Sequence, residues 1–360
     1  MNKKLIALAV AGACVAPAAM AQTANPVTLY GKVYATFESL EGSGGTPAQD
    51  SASQRRTRVT DQASRLGVKG VEDLGGGLKA VFQLETAFKP DQNDTGFAQR
   101  NSGVGLSGNW GTVIMGRWDT PWKVTTGNID PFGDVTIGGF KTTMSDHGNF
   151  DRRDQNIVQY WSPKWAGVEV RLQYQANEGK GASGTADPKD YGGSITYTGG
   201  PLYLMYAYEE HKDQVSSSNV TTSANAAGKK ETGNAIGATY AFGPAKLGGL
   251  YQRMKKSDRE DVKAWMGNIV WTMANNQFIY QYGQAKGGFP TGTLQEDCKS
   301  NTFAWQYNFS KRTFGLVQYS SIKNDNAVSV CGLGTAQSGT FTVAGGQDVK
   351  GLSFGVSHVF

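Results

Sequence analysis

Histidine and cysteine are scarce in this chain: its 360 residues hold three of each, and His147, His211 and His358 lie far apart. No Cys/His group has the spacing of a zinc site, and no D-x-D-x-D-G loop suggests calcium, so neither a metal nor a cofactor is expected. A hydrolase would need a histidine within hydrogen-bond reach of a nucleophile and a third group to orient it. None of the three lies near a G-x-S-x-G sequence, so they read as solvated or interfacial side chains, and no catalytic residue is assigned. Gly103-Val104-Gly105-Leu106-Ser107-Gly108 fits G-x-G-x-x-G, but a dinucleotide fingerprint must open a helix, and this one ends a strand at a tight turn. After Gln22 there is no run of the ~18 apolar residues that a membrane-spanning helix requires, which excludes a helical membrane protein. Amphipathic helix is missing too, since no stretch carries a convincing 3.6-residue stripe.

The one substantial apolar run is N-terminal. Lys3 and Lys4 precede Leu5 to Val15, and Ala19-Met20-Ala21 supplies a small-x-small cleavage site. At about 11 residues the run is too short to span a bilayer, so residues 1–21 are expected to be a cleaved signal peptide and 22–360 a single exported domain. Without Lys3 and Lys4 the chain keeps 33 basic residues against 30 acidic ones, a formal +3. That is too little to argue for nucleic acid.

Glycine and aromatics are plentiful: 48 Gly, 8 Trp, 15 Tyr and 16 Phe. Such composition marks all-β architectures, closed barrels as well as soluble sandwiches and propellers, and sets a class and no more. In Val27–Phe37 the odd positions Leu29, Gly31, Val33, Ala35 and Phe37 oppose Tyr30, Lys32, Tyr34 and Thr36. In Leu78–Phe88, Ala80, Phe82 and Leu84 oppose Lys79, Gln83 and Glu85. This alternation marks strands with one apolar and one polar face, and it returns in Val168–Gln175, Leu202–Tyr208, Leu247–Met254, Asn276–Tyr282, Thr302–Phe309, Thr313–Tyr319 and Leu352–Phe360. Tight connections at Asp73–Gly77, Gly108–Gly111, Pro163–Gly167, Thr198–Pro201, Phe242–Ala245, Met273–Asn276 and Ser310–Arg312 alternate with long polar ones, the longest running from Thr120 to Gln155. Counting them gives about sixteen antiparallel strands, short turns at one end and long loops at the other, as in an outer-membrane β-barrel. In hydrocarbon only a closed sheet leaves no backbone group unpaired, and a barrel this wide encloses water. Trp161, Trp165, Trp271 and Trp305 stand near strand ends, where interfacial girdles form. Cys14 leaves with the signal peptide. Cys298 and Cys331 then suggest one disulfide in an oxidising compartment, two separate buried thiols being the alternative. They flank the Asn301–Lys323 hairpin, in neighbouring loops on one side of the barrel.

These residues resemble the trimeric general porins of Gram-negative bacteria, nearest the beta-proteobacterial branch. Leu29-Tyr30-Gly31-Lys32 is similar to the family's first strand. Ser64-Arg65-Leu66-Gly67-Val68-Lys69-Gly70 with Glu72-Asp73-Leu74-Gly75 is similar to its second strand and turn. Val104-Gly105-Leu106-Ser107-Gly108 with Met115-Gly116-Arg117, and Tyr160-Trp161-Ser162-Pro163, follow in the same order, and Phe360 matches the C-terminal Phe by which such barrels are recognised for insertion. The resemblance implies a homotrimer in outer-membrane lipid and lipopolysaccharide, each sixteen-stranded barrel narrowed by an inward-folded third loop. It implies passive diffusion of small hydrophilic solutes and inorganic ions. A substrate-specific channel and a barrel-anchored adhesin are the alternatives, separable by single-channel conductance. Gly103 and Gly105 are read as small outward positions that let neighbouring barrels approach.

The same resemblance implies a basic wall facing an acidic loop. Arg65 and Arg100 match two rungs of the family's arginine ladder and Arg153 a third, with Lys32 and Lys69 on the same inward face. Asp130 and Asp134, in Asp130-Pro131-Phe132-Gly133-Asp134, are the candidate opposing acids. Opposed charges across a water-filled gap order water and hinder apolar solutes. A wall richer in cations than the loop is in anions gives weak anion selectivity.

Overall fold

A computed structural model describes residues 26–91, 96–133, 136–140, 150–176, 187–213, 228–255, 261–287, 297–325, 331–335, 339–341 and 343–360. The signal-peptide expectation, Asp134 and His147 lie outside them. Described strands are β1 (Val27–Ser43), β2 (Arg56–Asp61), β3 (Arg65–Gly75), β4 (Leu78–Ala87), β5 (Ser102–Gly108), β6 (Gly111–Asp119), β7 (Arg153–Trp161), β8 (Val168–Gln175), β9 (Lys189–Gly199) and β10 (Leu202–Lys212). They continue with β11 (Lys230–Phe242), β12 (Ala245–Lys255), β13 (Val262–Met273), β14 (Asn276–Lys286), β15 (Cys298–Asn308), β16 (Thr313–Asn324), a small hairpin β17 (Leu333–Thr335) and β18 (Gly339–Phe341), and β19 (Asp348–Val359). Two six-residue helices, α1 (Pro47–Ala52) and α2 (Pro121–Thr126), lie in long connections.

Each large strand pairs antiparallel with its sequence neighbour, and β19 pairs with both β16 and β1. Phe360 completes closure: Gly31 N–H donates to the Phe360 carbonyl at 3.0 Å, and Phe360 N–H donates back at 3.1 Å. β2 and β3 both pair with β1, across Leu40–Ala35 and Lys32–Val27 respectively, so they form one interrupted barrel strand and the barrel has sixteen. The interruption is at Gln62–Ser64, where Ala63 adopts φ +55° and Ser64 Oγ accepts from Tyr34 N–H at 2.9 Å. Hydrophobic alternation does not register such a break.

The two faces separate as the alternation predicts. Leu29, Val33, Phe37, Val104 and Met115 point outward, exposed where lipid would cover them, while Tyr34, Thr36 and Glu38 point inward and are buried. Trp165, Trp271 and Trp305 stand outward at the short-turn end. Trp161 does not join them: it is opposite Thr112 in register and faces the lumen, its indole N–H donating to Gln159 Oε1 at 2.8 Å. Gly103 and Gly105 also depart from expectation. Gly105 is opposite buried Ile114 and Gly103 opposite inward Gln83, so both face the lumen. A Cβ at either would run into a backbone carbonyl of β6 (Met115 O and Val113 O), so close backbone approach, not barrel–barrel contact, accounts for the glycines.

Polar sequence continues several strands beyond their apolar stretch, because their upper ends are covered from inside. The described residues of the third connection, 120–133, 136–140 and 150–152, lie against the barrel's inner wall. Trp122, Ile129, Ile137, Phe140 and Phe150 of this loop join Met205, Leu250, Met254 and Met266 of the wall in one buried cluster. Wall glycines make room for it: a Cβ at Gly233 would stand 2.7 Å from the Phe150 ring, and one at Gly283 3.0 Å from the Phe140 ring. The loop's backbone groups need partners in this buried position. Gln62 Oε1 accepts from Thr136 N–H at 2.7 Å, Asn268 Nδ2 donates to the Ile129 carbonyl at 3.0 Å, and Gln281 Nε2 donates to the Gly138 carbonyl at 3.0 Å.

Candidate pore constriction

Between that loop and the wall of the early strands remains a cavity of about 370 Å³. Arg65 of β3 and Arg100, just before β5, line it from the wall. Lys123 of α2, Asn128, Asp130, Gly133 and Asp151 line it from the loop, with Asp119 at the end of β6 and Gln252 of β12. The third loop therefore places acids and a lysine opposite two arginines in a narrowed, polar passage.

The arginines' direct partner is a wall carboxylate. Arg100 Nε lies 2.8 Å from Glu85 Oε1, and Arg65 Nε lies 3.9 Å from Glu85 Oε2, which also accepts from Tyr30 Oη at 3.0 Å. Glu85 falls on the inward face of β4 by alternation, but nothing in its spacing marks it as the hub of two arginines 20 and 15 residues away. Arg65 remains 35% exposed at its side chain against 8% for Arg100, so it presents the more open positive charge.

Asp130 lines the cavity, and its carboxylate also shapes its own loop, accepting from Phe132 N–H at 3.0 Å and from Phe140 N–H at 2.6 Å. Arg153 is not among the lining side chains. Its guanidinium lies 2.9 Å from Asp119 and donates to Asn101 Oδ1 at 2.7 Å. Lys32 is directly opposite Arg65 in register, with Nζ 5.4 Å from the Tyr34 ring centroid, but does not line the cavity. Lys69, over the Tyr30 ring at 5.2 Å, lines a second cavity of about 290 Å³ nearer the short turns, with Gln83, Thr112 and Trp161. Of the seven charged residues singled out from sequence, the structure gathers Arg65, Arg100 and Asp130. Lys123 and Asp151, 3.1 Å apart, were not singled out. Both sit in a loop whose inward course is encoded by buried contacts rather than by any motif.

The loop's return to the wall is fixed by a second ionic cluster. Arg152 is buried and contacts Asp154 at 2.8 Å, Asp190, and Glu209 at 3.5 Å. Burial alone would lower its pKa, but the carboxylates of Asp154, Asp190 and Glu209 hold it above the usual guanidinium value. His211 is neither solvated nor interfacial: it is 2% exposed, 2.8 Å from Glu209 and 3.3 Å from Asp190, and stacked on Phe150. Asp190, Glu209 and His211 are the one group among the described residues whose possible metal-ligand atoms all lie within 4.8 Å of one another. The Arg152 guanidinium already provides a positive charge among them. His358 sits at the other end of the barrel, its Nδ1 2.9 Å from Thr313 Oγ1.

A disulfide joins Cys298 to Cys331 across 33 residues, with Cα atoms 6.4 Å apart.

Comparison with known proteins gives one consistent result. Residues 7–327 match the family model described as Gram-negative porin. Outer membrane porin protein 32 of Delftia acidovorans is 33% identical over 384 aligned positions, covering all of both chains. Major outer membrane protein P.IB of Neisseria meningitidis serogroup B is 30% identical, covering 88% of this chain and 92% of its own. Among solved structures, the anion-selective porin from Comamonas acidovorans superposes with a TM-score of 0.75 at 28% identity, covering 93% of this chain and all of that one. The trimer form of OmpT, an outer membrane protein of Vibrio cholerae, gives 0.67 at 17% identity, a likeness of fold.

Proposed function

The chain belongs to the Gram-negative porin family and forms an outer-membrane channel, and from that premise we propose that it is a weakly anion-selective diffusion pore for small hydrophilic solutes and ions. The observation that carries the reading is the cavity between the third loop and the Arg65–Arg100 wall. Counting lining residues and their direct partners, Arg65, Arg100, Lys123 and Arg153 stand against Glu85, Asp119, Asp130 and Asp151. Four cations against four anions is nearly neutral. Lys32, inward beside Arg65, and the open face of Arg65 tip the balance toward anions only slightly. A solute that is polar and small exchanges its water shell for these side chains at little cost, whereas an apolar one must displace ordered water. The name of the Comamonas neighbour, an anion-selective porin, points the same way.

In this reading the protein is a channel rather than an enzyme, and it works as a homotrimer. Residues 1–21 are removed on export, and Phe360, paired with Gly31 at the barrel seam, is the insertion signal. The test is planar-bilayer conductance with reversal potentials in asymmetric salt. Wild type should show open, weakly anion-selective levels. Arg65→Glu combined with Arg100→Glu should move the reversal potential to the cation side. Unchanged selectivity in that double variant, correctly folded, sinks the constriction assignment, and absence of conductance in wild type sinks the channel reading.

A further inference from the structure

In the connection between β16 and β19, the described residues 331–335, 339–341 and 343–347 bring Leu333, Phe341 and Val343 into the buried cluster inside the barrel. Cys298 begins β15 directly opposite Asn324, the last residue of β16, so the disulfide ties Cys331 back to the root of its own loop. Asn324 secures the same point without covalent bonds. Its Nδ2 donates to the carbonyls of Cys331 at 3.1 Å and Gln347 at 2.6 Å, and its Oδ1 accepts from Cys331 N–H at 3.0 Å. Two residues beyond the bridge, Leu333 is fully buried. It pairs with Phe341 across the β17–β18 hairpin and packs in the cluster that contains Leu40 of β1, Val349 of β19 and Ile137 of the third loop. The convergence is tight enough that a Cβ added at Gly351 would meet Leu40, Leu333 at 3.1 Å and Ile137 at 3.2 Å.

We propose that the Cys298–Cys331 bridge and Leu333 are positioning elements for permeation: they hold the last long loop against Ile137 and so set how far the third loop narrows the channel. The inference rests on the channel reading above. Its physical basis is the short tether. Without it the segment from Asn324 to Asp348 is one longer loop, whose closure entropy rises slowly, as the logarithm of its length, and Leu333 must reach the cluster containing Ile137 from a looser chain. The bridge is itself buried, Cys298 completely and Cys331 to 2% exposure, so it acts as a permanent staple rather than a thiol-operated valve. Moving Leu333 away would expose Ile137 to water and release one side of the constriction loop.

The experiment compares wild type, Cys298→Ser with Cys331→Ser, Leu333→Asn (bridge intact) and Leu333→Met as purified, natively assembled protein. Single-channel conductance and swelling of liposomes in sugars of increasing size are the readouts. Expected is a raised open level, more frequent closing steps and a larger size limit in the serine pair and in Leu333→Asn. Leu333→Met, which keeps the apolar volume, should return to wild-type values, and a merely stabilising role would leave conductance and size limit unchanged in every variant that assembles. The proposal is overturned if either the serine pair or Leu333→Asn assembles normally and keeps the wild-type conductance and size limit. A wild type that conducts nothing removes the channel reading itself, and is told apart from both by the control.

Discussion

Two arginine clusters line the same barrel and do different work. Arg65 and Arg100 share Glu85 at the edge of a water-filled cavity, where one guanidinium stays a third exposed. Arg152 is enclosed by Asp154, Asp190 and Glu209, with His211 and Phe150 closing the space. Charge facing water acts on passing ions through a screened field and contributes little to holding the chain together. A charge enclosed by protein has lost its hydration and is tolerated only because its partners replace it. In the proposed pore the first cluster bears on selectivity, whereas the second fixes where the third loop rejoins β7.

The largest effect that tests this contrast comes from the enclosed cluster. Arg152→Met leaves three buried carboxylates without their cation, which should cost about 3–5 kcal/mol, the usual penalty for breaking a buried ion pair. Thermal unfolding followed by heat-modifiable electrophoretic mobility should show a large loss. Adding Asp190→Asn and Glu209→Gln in the same chain should recover part of it. A variant Arg152→Met as heat-resistant as wild type would mean that the loop root is held by Phe150 and Trp122 packing alone.

The open cluster should respond in the other currency. Glu85→Gln removes the carboxylate that Arg65 and Arg100 share while leaving a hydrogen-bond acceptor for Tyr30. A unit charge acts across a few ångströms of water with about 1 kcal/mol, so the anion-to-cation permeability ratio should rise by up to about fivefold. Glu85 and Arg100 are themselves buried, so the melting transition should fall as well, but less than in Arg152→Met, because one cation rather than three carboxylates loses its partner and Arg65 stays open to water. Equal shifts in stability for the two variants would erase the distinction between the clusters.

How much of this was legible in the sequence follows the same division. Faces of strands were mostly legible, because burial on one side imposes a period of two, but the glycine-rich β5 misled: Gly103 and Gly105 face the lumen. The inward placement of Arg65 and Arg100 was legible in the alternation and their place in a constriction only through resemblance, and the strand break at Gln62–Ser64 was not legible at all, since Ala63 carries no mark of its φ +55°. The inward course of the third loop depends on Ile129, Ile137 and Phe140 finding wall glycines and glutamines more than a hundred residues away. His211 was misread for the same reason. Its sequence position at a strand end says nothing about Phe150 arriving from the loop to cover it. Local pattern encodes the barrel wall, whereas the contents of the lumen are encoded in long-range pairs.

The smallest expected effect lies where loops meet at the outer end, away from both clusters. Asp50 of α1 accepts from Gly45 N–H at 2.9 Å and from Gln347 Nε2 at 2.7 Å, linking the first long loop to the last. Those hydrogen bonds, the backbone one foremost, hold its carboxyl below the usual aspartate value. A depressed folded-state pKa contributes stability that is present above the unfolded value of about 3.9 and is lost as pH falls through the folded one. The link should therefore be unaffected from neutrality down to the ordinary aspartate range and weaken only in stronger acid. Amide exchange at residues 44–53, compared between mildly and strongly acidic buffer, should quicken in wild type beyond the intrinsic pH trend. In Asp50→Asn, where no proton can be gained, that extra acceleration should vanish, while conductance at neutral pH stays as in wild type. Because the group is only partly buried and bonds to residues of the outer loops, the change should stay confined there and leave both arginine clusters as they are. Acid loosening that spread to the constriction would join the outer loops and the pore into a single cooperative unit.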